Sequence, residues 1–168
     1  STGSITGFGS VYVNGVKYET SNSTFVMEDR DNSGLLDQDD LEEGMVVTIL
    51  GEIHTNGTTG TANTVIYTQS VEGPIDGTPV GNSFVVLGRT VIVEDATVIE
   101  GTQSYPANFA DTDIVEVSGY VDSNGILRAR YLENTGDSDF SIHGVVTNAS
   151  YGVNQFELNG SLIVNWAG

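Results

Sequence analysis

One short pattern decides the fold of this chain: Val11-Tyr-Val-Asn-Gly-Val-Lys-Tyr18, two alternating segments joined by Asn-Gly. It returns as Phe84-Val-Val-Leu-Gly-Arg-Thr-Val-Ile-Val93 and again as Phe156-Glu-Leu-Asn-Gly-Ser-Leu-Ile-Val164. Alternation of apolar and polar residues indicates a half-buried strand, and Asn-Gly is typical of a tight hairpin turn. The three copies therefore predict three β-hairpins in a repeated β-structure.

The repeat extends to both sides of the hairpin. Upstream, Ser4-Ile-Thr-Gly7 resembles Ser70-Val-Glu-Gly73 and Ser141-Ile-His-Gly144. Downstream, Gly44-Met-Val-Val-Thr-Ile-Leu-Gly51 aligns with Asp113-Ile-Val-Glu-Val-Ser-Gly119, and an Asn-Gly turn and a closing strand follow both. Equivalent glycines recur 73 and 68 positions apart, at Gly15 and Gly88 and at Gly57 and Gly125. One unit thus spans about 70 residues.

Each complete unit is expected to contain three strands, a polar stretch that ends in one helical turn at 39–44 or 107–111, and two further strands. This order predicts an all-β fold of two tandem small OB-like five-stranded barrels, residues 1–69 and 70–135. A partial third repeat of three strands follows at 140–168. A generic β-sandwich is the alternative, because strand order does not follow from a single sequence.

The composition excludes several classes of partner. Five basic side chains against 23 acidic ones give a net charge of −18, which fits neither nucleic acid nor an anionic membrane surface. Val, Ile and Thr number 50, against 19 for Ala, Leu, Met and Lys, which favours strands. The chain has no cysteine and no apolar run long enough for membrane insertion. Because it begins at Ser1, we expect a processed protein that is secreted or held at the cell surface.

The repeats resemble a known family. The segments that carry the resemblance are Gly7-Phe-Gly-Ser-Val-Tyr-Val-Asn-Gly15, Leu41-Glu-Glu-Gly-Met-Val-Val-Thr48, Ser83-Phe-Val-Val-Leu-Gly88 and Val115-Glu-Val-Ser-Gly119. They are similar to a bacterial family of tandem OB-like domains of unknown function, and the similarity covers essentially the whole chain. It implies exported or surface-attached proteins with a small-barrel fold, and it supplies no catalytic residues.

The third unit is shorter than the first two. Only eight residues follow Gly160, so the helical turn and the last two strands have no counterpart. A half barrel exposes an apolar face and an open edge, which soluble proteins seldom leave uncovered. Three completions are open: the natural chain continues, Phe140 to Val164 folds onto the second barrel, or a neighbouring copy covers the segment. The third completion would give a head-to-tail contact and a filament.

A calcium-type loop lies in the first unit. Asp29-Arg-Asp-Asn-Ser-Gly-Leu-Leu-Asp-Gln-Asp-Asp40 resembles the loops of EF-hand and dockerin-type modules. That resemblance implies a set of Ca²⁺ ligands: Asp29, Asp31, Ser33, the carbonyl of Leu35, Asp37 and Asp40. Ser33 and Asp40 depart from the commoner ligands, and a strand precedes the loop in place of a helix. An acidic surface loop without an ion is the alternative, although eight carboxylates between Glu28 and Glu43 would then repel one another.

The remaining polar and aromatic candidates are expected to be structural. His54 and His143 are isolated, which favours surface or turn positions over catalysis or zinc binding. No nucleophile elbow or nucleotide-binding motif occurs, so we expect no enzyme. Six aromatic residues alternate along predicted strands, where core or cross-strand packing is usual and a sugar-stacking platform is the alternative. They are Tyr12, Tyr18, Phe84, Phe109, Phe156 and Trp166.

Together these features predict a non-enzymatic extracellular structural protein. It would be a subunit of a bacterial surface filament or layer, self-associating head to tail into a homopolymer through the incomplete C-terminal repeat. The alternative is a calcium-dependent adhesive or carbohydrate-binding module, with a glycan as partner. Neither function involves nucleic acid.

Overall fold

The protein is all-β in a computed structural model that describes residues 1–27, 37–136, 138, 140–150, 152–159 and 162–166. The first unit contains β1 (Thr2–Ser4), β2 (Val11–Val13), β3 (Val16–Glu19), β4 (Thr24–Met27), a 3-10 helix (Gln38–Asp40), β5 (Val46–Ile53) and β6 (Thr59–Tyr67). The second contains β7 (Val71–Pro74), β8 (Ser83–Val86), β9 (Arg89–Ile92), β10 (Val98–Ile99), β11 (Ile114–Val121) and β12 (Leu127–Asn134). The C-terminal segment contains β13 (Ser141–Ile142), β14 (Val146–Ser150), β15 (Gln155–Leu158) and β16 (Leu162–Asn165).

Both complete units curl into barrel-like sheets with the same topology. The first pairs in the order β1-β5-β6-β3-β2, and a bridge between Ile5 and Val13 joins its two ends. The second pairs in the order β7-β11-β12-β9-β8 and is joined in the same way by Ile75 and Val86. The tandem all-β architecture predicted from the repeats is therefore confirmed.

The strand count per unit is higher than the five predicted. In the first unit β3 and β4 lie one after the other, both parallel to β6. In the second unit β9 and β10 likewise lie one after the other, both parallel to β12. A turn splits what would otherwise be one long strand, so each unit has six strands of its own.

The structure corrects the alignment of the opening strands. Gly3 lies opposite Val47 on β5, and Gly73 lies opposite Val115 on β11. Gly73 therefore corresponds to Gly3 and not to Gly7, a shift of four positions. The short Ser-x-x-Gly pattern fits more than one register, and only pairing with the long fifth strand of the unit fixes it.

One predicted helical turn is present and the other is replaced. The 3-10 helix at Gln38–Asp40 begins one residue before the expected 39–44. Around the expected 107–111 the backbone forms only isolated turn bonds, such as Asn108 N to the Ser104 carbonyl at 3.0 Å. Side chains bond the backbone as well: the Asn108 Oδ1 accepts from Ser104 N at 2.9 Å, and the Asp113 Oδ2 accepts from Ala110 N at 2.8 Å. Such side-chain bonds compete with helix formation, which explains the turn found there.

The two barrels have separate apolar cores that meet at one residue. Val47, Ile49, Val65 and Tyr67 are among the buried residues of the first core, while the second is built around β7, β8, β11 and β12. Tyr131 lies on β12 of the second barrel but is buried in the core of the first. The barrels are thus packed together and not merely joined by a linker.

The C-terminal segment divides between two sheets. β13 adds to the edge of the second barrel, with Ser141 opposite Glu72, in partial agreement with the predicted folding of 140–164 onto that barrel. β14, β15 and β16 form a separate antiparallel sheet, which confirms a three-strand partial repeat. In the described part of the chain, no helix has the length and apolar character needed to cross a membrane.

Candidate functional site

The predicted calcium loop is described only at its C-terminal end. Asp29, Asp31, Ser33 and Leu35 lie outside the described residues. Asp37 is the N-cap of the 3-10 helix and Asp40 is its last residue, and the two form a reciprocal capping box. Asp37 N donates to Asp40 Oδ2 at 2.9 Å, and Asp39 N donates to Asp37 Oδ1 at 2.8 Å. Both carboxylates are exposed and supply the oxygen chemistry that Ca²⁺ prefers. The described residues contain no group of three or more side chains arranged to hold a metal ion.

A cleft of about 240 Å³ between the barrels borders this helix. Met27, Met45 and Tyr131 form its apolar part. Its remaining lining residues are all acidic: Asp39, Asp40, Glu42, Glu100, Glu116 and Glu133. Burial, followed by the charges of Glu100, Glu133 and Glu43, raises the pKa of the Glu42 carboxyl. Like-charge repulsion is therefore concentrated at the junction of the two barrels.

Three carboxylates of this region form a row across the second sheet. Glu116 on β11 lies opposite Glu72 on β7 and opposite Glu133 on β12. Glu72 and Glu116 are each only 5% exposed. The Tyr67 hydroxyl donates to Glu116, and Gln69 Nε2 donates to Glu72 Oε2 at 2.7 Å. Burial and the charge of Glu116 raise the pKa of Tyr67, which keeps this phenol a neutral donor.

The sequence comparison missed this row. The signals present in the sequence were Glu116 and Glu72, which stand at strand positions where the first unit has Thr48 and Thr2.

A second cavity, about 560 Å³ in volume, lies between the second barrel and the C-terminal sheet. Seven of its described lining residues are apolar: Leu87, Val121, Ile126, Ile142, Val145, Leu158 and Leu162. Arg89 supplies a cation, and no described lining residue is acidic. The charge of its lining therefore differs in sign from that of the acidic cleft at the barrel junction.

The C-terminal sheet has an open edge. β16 pairs with β15 only among the described strands, whereas the corresponding strands β3 and β9 also pair in parallel with β6 and β12. Several large apolar side chains are exposed on this segment: Phe140, Val145, Val146, Val153 and Ile163. An unpaired strand edge beside exposed apolar residues is a surface suited to strand addition.

Acidic residues are concentrated in the middle of the chain. No carboxylate side chain precedes Glu19, and Glu157 is the only one after Asp139. Before Glu19, Lys17 is the only charged side chain. The two ends of a chain with net charge −18 are therefore nearly neutral.

The isolated histidines and most aromatic residues have the structural positions expected of them. His54 is exposed, with Nδ1 3.0 Å from Thr59 Oγ1 and Nε2 3.1 Å from Thr61 Oγ1. His143 is also exposed, and its Nδ1 lies 3.0 Å from the Gln69 carbonyl oxygen. Core positions are confirmed for Tyr18, Phe84 and Phe109. Tyr12 is half-buried, and the Phe156 and Trp166 rings pack on each other with centroids 5.8 Å apart.

Comparison with known proteins identifies the repeated unit. The domain of unknown function DUF5666 matches the chain twice, over residues 2–65 and 72–133. The starts of the two matches are 70 positions apart, as are Gly3 and Gly73, the equivalent positions of the opening strands. No curated protein and no solved structure gives a match. Because the two matches together span most of the chain, this protein belongs to the DUF5666 family and carries its domain as a tandem repeat.

Proposed function

We propose that this protein is a non-enzymatic extracellular structural protein. In this proposal it self-associates head to tail through residues 140–168 as a subunit of a bacterial surface filament or layer. The OB-like character of the barrels and the export of the protein, both implied by the family resemblance, are part of the same proposal. The observation that carries it is the open edge of β16 beside exposed apolar side chains.

The pairing inside the two complete barrels indicates what would cover that edge. In each barrel, the second strand of the hairpin is joined in parallel by the last strand of the unit. The C-terminal hairpin, β15 and β16, lacks this neighbour among the described residues. A strand from a second copy would satisfy the free backbone groups and bury the apolar side chains around them.

The charge distribution favours contact between opposite ends of two copies. Subunits with a net charge of −18 repel one another wherever their acidic surfaces meet. The segment before Glu19 and the segment after Asp139 together contain a single carboxylate side chain. A head-to-tail contact between these segments therefore brings fewer carboxylates close to one another than a contact between the acidic surfaces.

Deletion of residues 140–168 tests the assembly directly. We expect the full chain to form concentration-dependent oligomers in sedimentation and linear assemblies in electron microscopy, and the deleted chain to stay monomeric. Ile163→Glu should weaken assembly without disturbing the fold, because Ile163 is 54% exposed. Val80→Glu is the matched control, since Val80 is also exposed but lies on the second barrel. Assembly that persists in both the deletion and Ile163→Glu rules the proposal out.

Calcium binding by the 29–40 loop is the second part of the proposal. Its support is the clustering of carboxylates on and around the 3-10 helix, where burial and then like-charge repulsion raise the pKa of Glu42 and a divalent cation would offset the repulsion. An ion that binds only the folded chain stabilises it by about 1.4 kcal/mol at ten times its Kd. We therefore expect Ca²⁺ to raise the melting temperature, and Mg²⁺ to do so less.

The calcium effect should disappear in Asp29→Ala and Asp31→Ala. Sodium chloride at matched ionic strength is the control, because simple screening of an acidic surface would be reproduced by any salt. Equal stabilisation by sodium chloride would show that the loop is only a charged segment. Glycan binding that is lost in chelator, with a monomeric chain, would instead support the adhesive alternative.

A further inference from the structure

Arg89 occupies a core-facing position in the second barrel. It is the first residue of β9, directly after the hairpin glycine Gly88, and is only 9% exposed. The corresponding residue of the first barrel is Val16, which follows Gly15 and is also buried. A guanidinium therefore replaces an apolar side chain at an inward position. Burying a charge in this way is costly unless a partner compensates it.

The described residues provide Arg89 with only one weak compensation. Its Nη2 donates to the backbone carbonyl of His143 at 3.0 Å, and it forms no ion pair within the described part of the chain. Arg128, by contrast, lies 3.0 Å from Asp122 and 3.4 Å from Glu94. Burial also lowers the pKa of the Arg89 guanidinium, which reflects the same uncompensated charge.

The guanidinium faces a cavity that lacks the acidity of the rest of the protein. Arg89 lines both the cavity of about 560 Å³ and an adjoining one of about 380 Å³. No described residue lining either of them is acidic. Seven apolar side chains line the larger cavity, and Thr90, Thr147 and the amide groups of Asn124 and Asn159 are its neutral polar part. A buried cation beside apolar side chains and an open volume has the composition of a binding site for an anionic group.

We propose that the cavity between the second barrel and the C-terminal sheet binds a small amphipathic carboxylate. Its carboxylate would pair with the planar fork of the Arg89 guanidinium, and its hydrocarbon part would lie against Leu87, Ile126 and Leu162. A single arginine suits a single negative charge. A dianion would meet stronger repulsion from a chain of net charge −18, which favours the carboxylate over a phosphate ester. The proposed site rests on Arg89 and its cavity and not on self-association, although Val145 both lines the cavity and belongs to the exposed apolar set of the C-terminal segment.

Octanoate is a suitable probe, with octanamide as its uncharged equivalent and calorimetry as the measurement. We expect octanoate to bind the full chain and octanamide to bind about tenfold more weakly, because it lacks the charge-assisted pair. Arg89→Gln should weaken octanoate binding to the level of octanamide. Arg128→Gln, which removes the same charge from an ion pair outside the cavity, should leave octanoate binding unchanged.

Val145→Asp provides a second variant that does not depend on the stability of β9. Val145 lines the cavity and is 70% exposed, so an aspartate there is compatible with folding and would repel the ligand. We expect it to abolish octanoate binding while octanamide still binds. Absence of octanoate binding to the unaltered chain, or equal binding by folded Arg89→Gln, overturns the proposal.

Discussion

The Glu42 carboxyl at the barrel junction makes the stability of the molecule depend on pH. The pKa of Glu42 is raised above its ordinary value of 4.5, first by burial and then by the neighbouring carboxylates Glu100, Glu133 and Glu43. A carboxyl with a raised folded-state pKa binds more protons in the folded than in the unfolded chain between the two pKa values. Stability therefore falls as pH rises through that window, and the loss is complete above the folded-state pKa.

Glu42→Gln should consequently raise the melting temperature at pH 7 and have less effect at pH 4, where the carboxyl is largely protonated in both states. Because Glu42 is exposed and solvent screens its charge, we expect a gain of less than about 1 kcal/mol. Thermal unfolding at both pH values measures the effect. Glu52→Gln, at the exposed end of β5 and away from the cleft, is the control and should change stability less. A lower melting temperature for Glu42→Gln at pH 7 would contradict this account.

Among the strands, the fifth strand of each unit carries a bulge that only glycine permits. The register of β5 shifts between Leu50 and Gly51, and that of β11 shifts between Ser118 and Gly119. A Cβ atom on Gly51 would collide with the Thr61 carbonyl oxygen, and one on Gly119 with the Arg128 carbonyl oxygen. These backbone atoms belong to the paired strands β6 and β12, so they cannot move aside without breaking the ladder.

Gly51→Ala should therefore destabilise the protein by about 2 kcal/mol or more, in the range of overpacking substitutions. Chemical denaturation gives the change in free energy of unfolding. Gly7→Ala is the matched control in the same barrel, because its nearest neighbour would be the Tyr12 ring at 3.7 Å, an ordinary contact. Equal stability of the two variants would show that the bulge tolerates a side chain.

The elements that follow from local chemistry are those that the sequence predicts well. Asn14 and Asn159 have the positive φ angles, 53° and 55°, that a tight Asn-Gly hairpin turn requires, and the glycine after each completes the signal. The register of the opening strand depends instead on pairing with β5, more than 40 residues away, as between Gly3 and Val47. A local pattern such as Ser-x-x-Gly contains no information about pairing with a strand so far along the chain. This explains why the predicted alignment of the opening strands was wrong by four positions.

The candidate sites also divide into those set by local sequence and those set by long-range packing. A calcium-type loop is a local pattern and can be read from one segment. The row of Glu72, Glu116 and Glu133 is assembled from three strands, and the Arg89 cavity needs the C-terminal sheet as a wall. Sites built by tertiary packing were therefore missed. The repeat alignment did hold one clue, an arginine where the first unit has Val16.

At the scale of the whole molecule, Tyr131 makes the two barrels interdependent. It projects from the second barrel into the core of the first, where it is 1% exposed. The Tyr67 hydroxyl donates to Glu116 across the same junction, and Val46 N donates to Ser118 Oγ at 2.9 Å. We therefore expect the barrels to unfold in a single cooperative transition.

Tyr131→Ala should separate that transition into two in scanning calorimetry. Loss of a large buried aromatic side chain costs about 3–5 kcal/mol, and here the loss falls on the first barrel although the substitution is in the second. Tyr120→Ala is the control, because Tyr120 lies on β11 of the same barrel but is 38% exposed. A single transition in Tyr131→Ala would mean that other contacts are sufficient to couple the barrels.

The way the chain enters and leaves each barrel determines how the protein responds to tension. β1 and β6 flank β5 on opposite sides, with Gly3 and Tyr67 both opposite Val47, and both strands run antiparallel to β5. A force pulling the start of β1 and the end of β6 apart therefore acts along the strands and loads the hydrogen bonds on both sides of β5 at once. β7, β11 and β12 repeat the arrangement in the second barrel. Bonds loaded together in shear resist rupture better than bonds opened one at a time, so an array of these units would behave under load as a stiff tether.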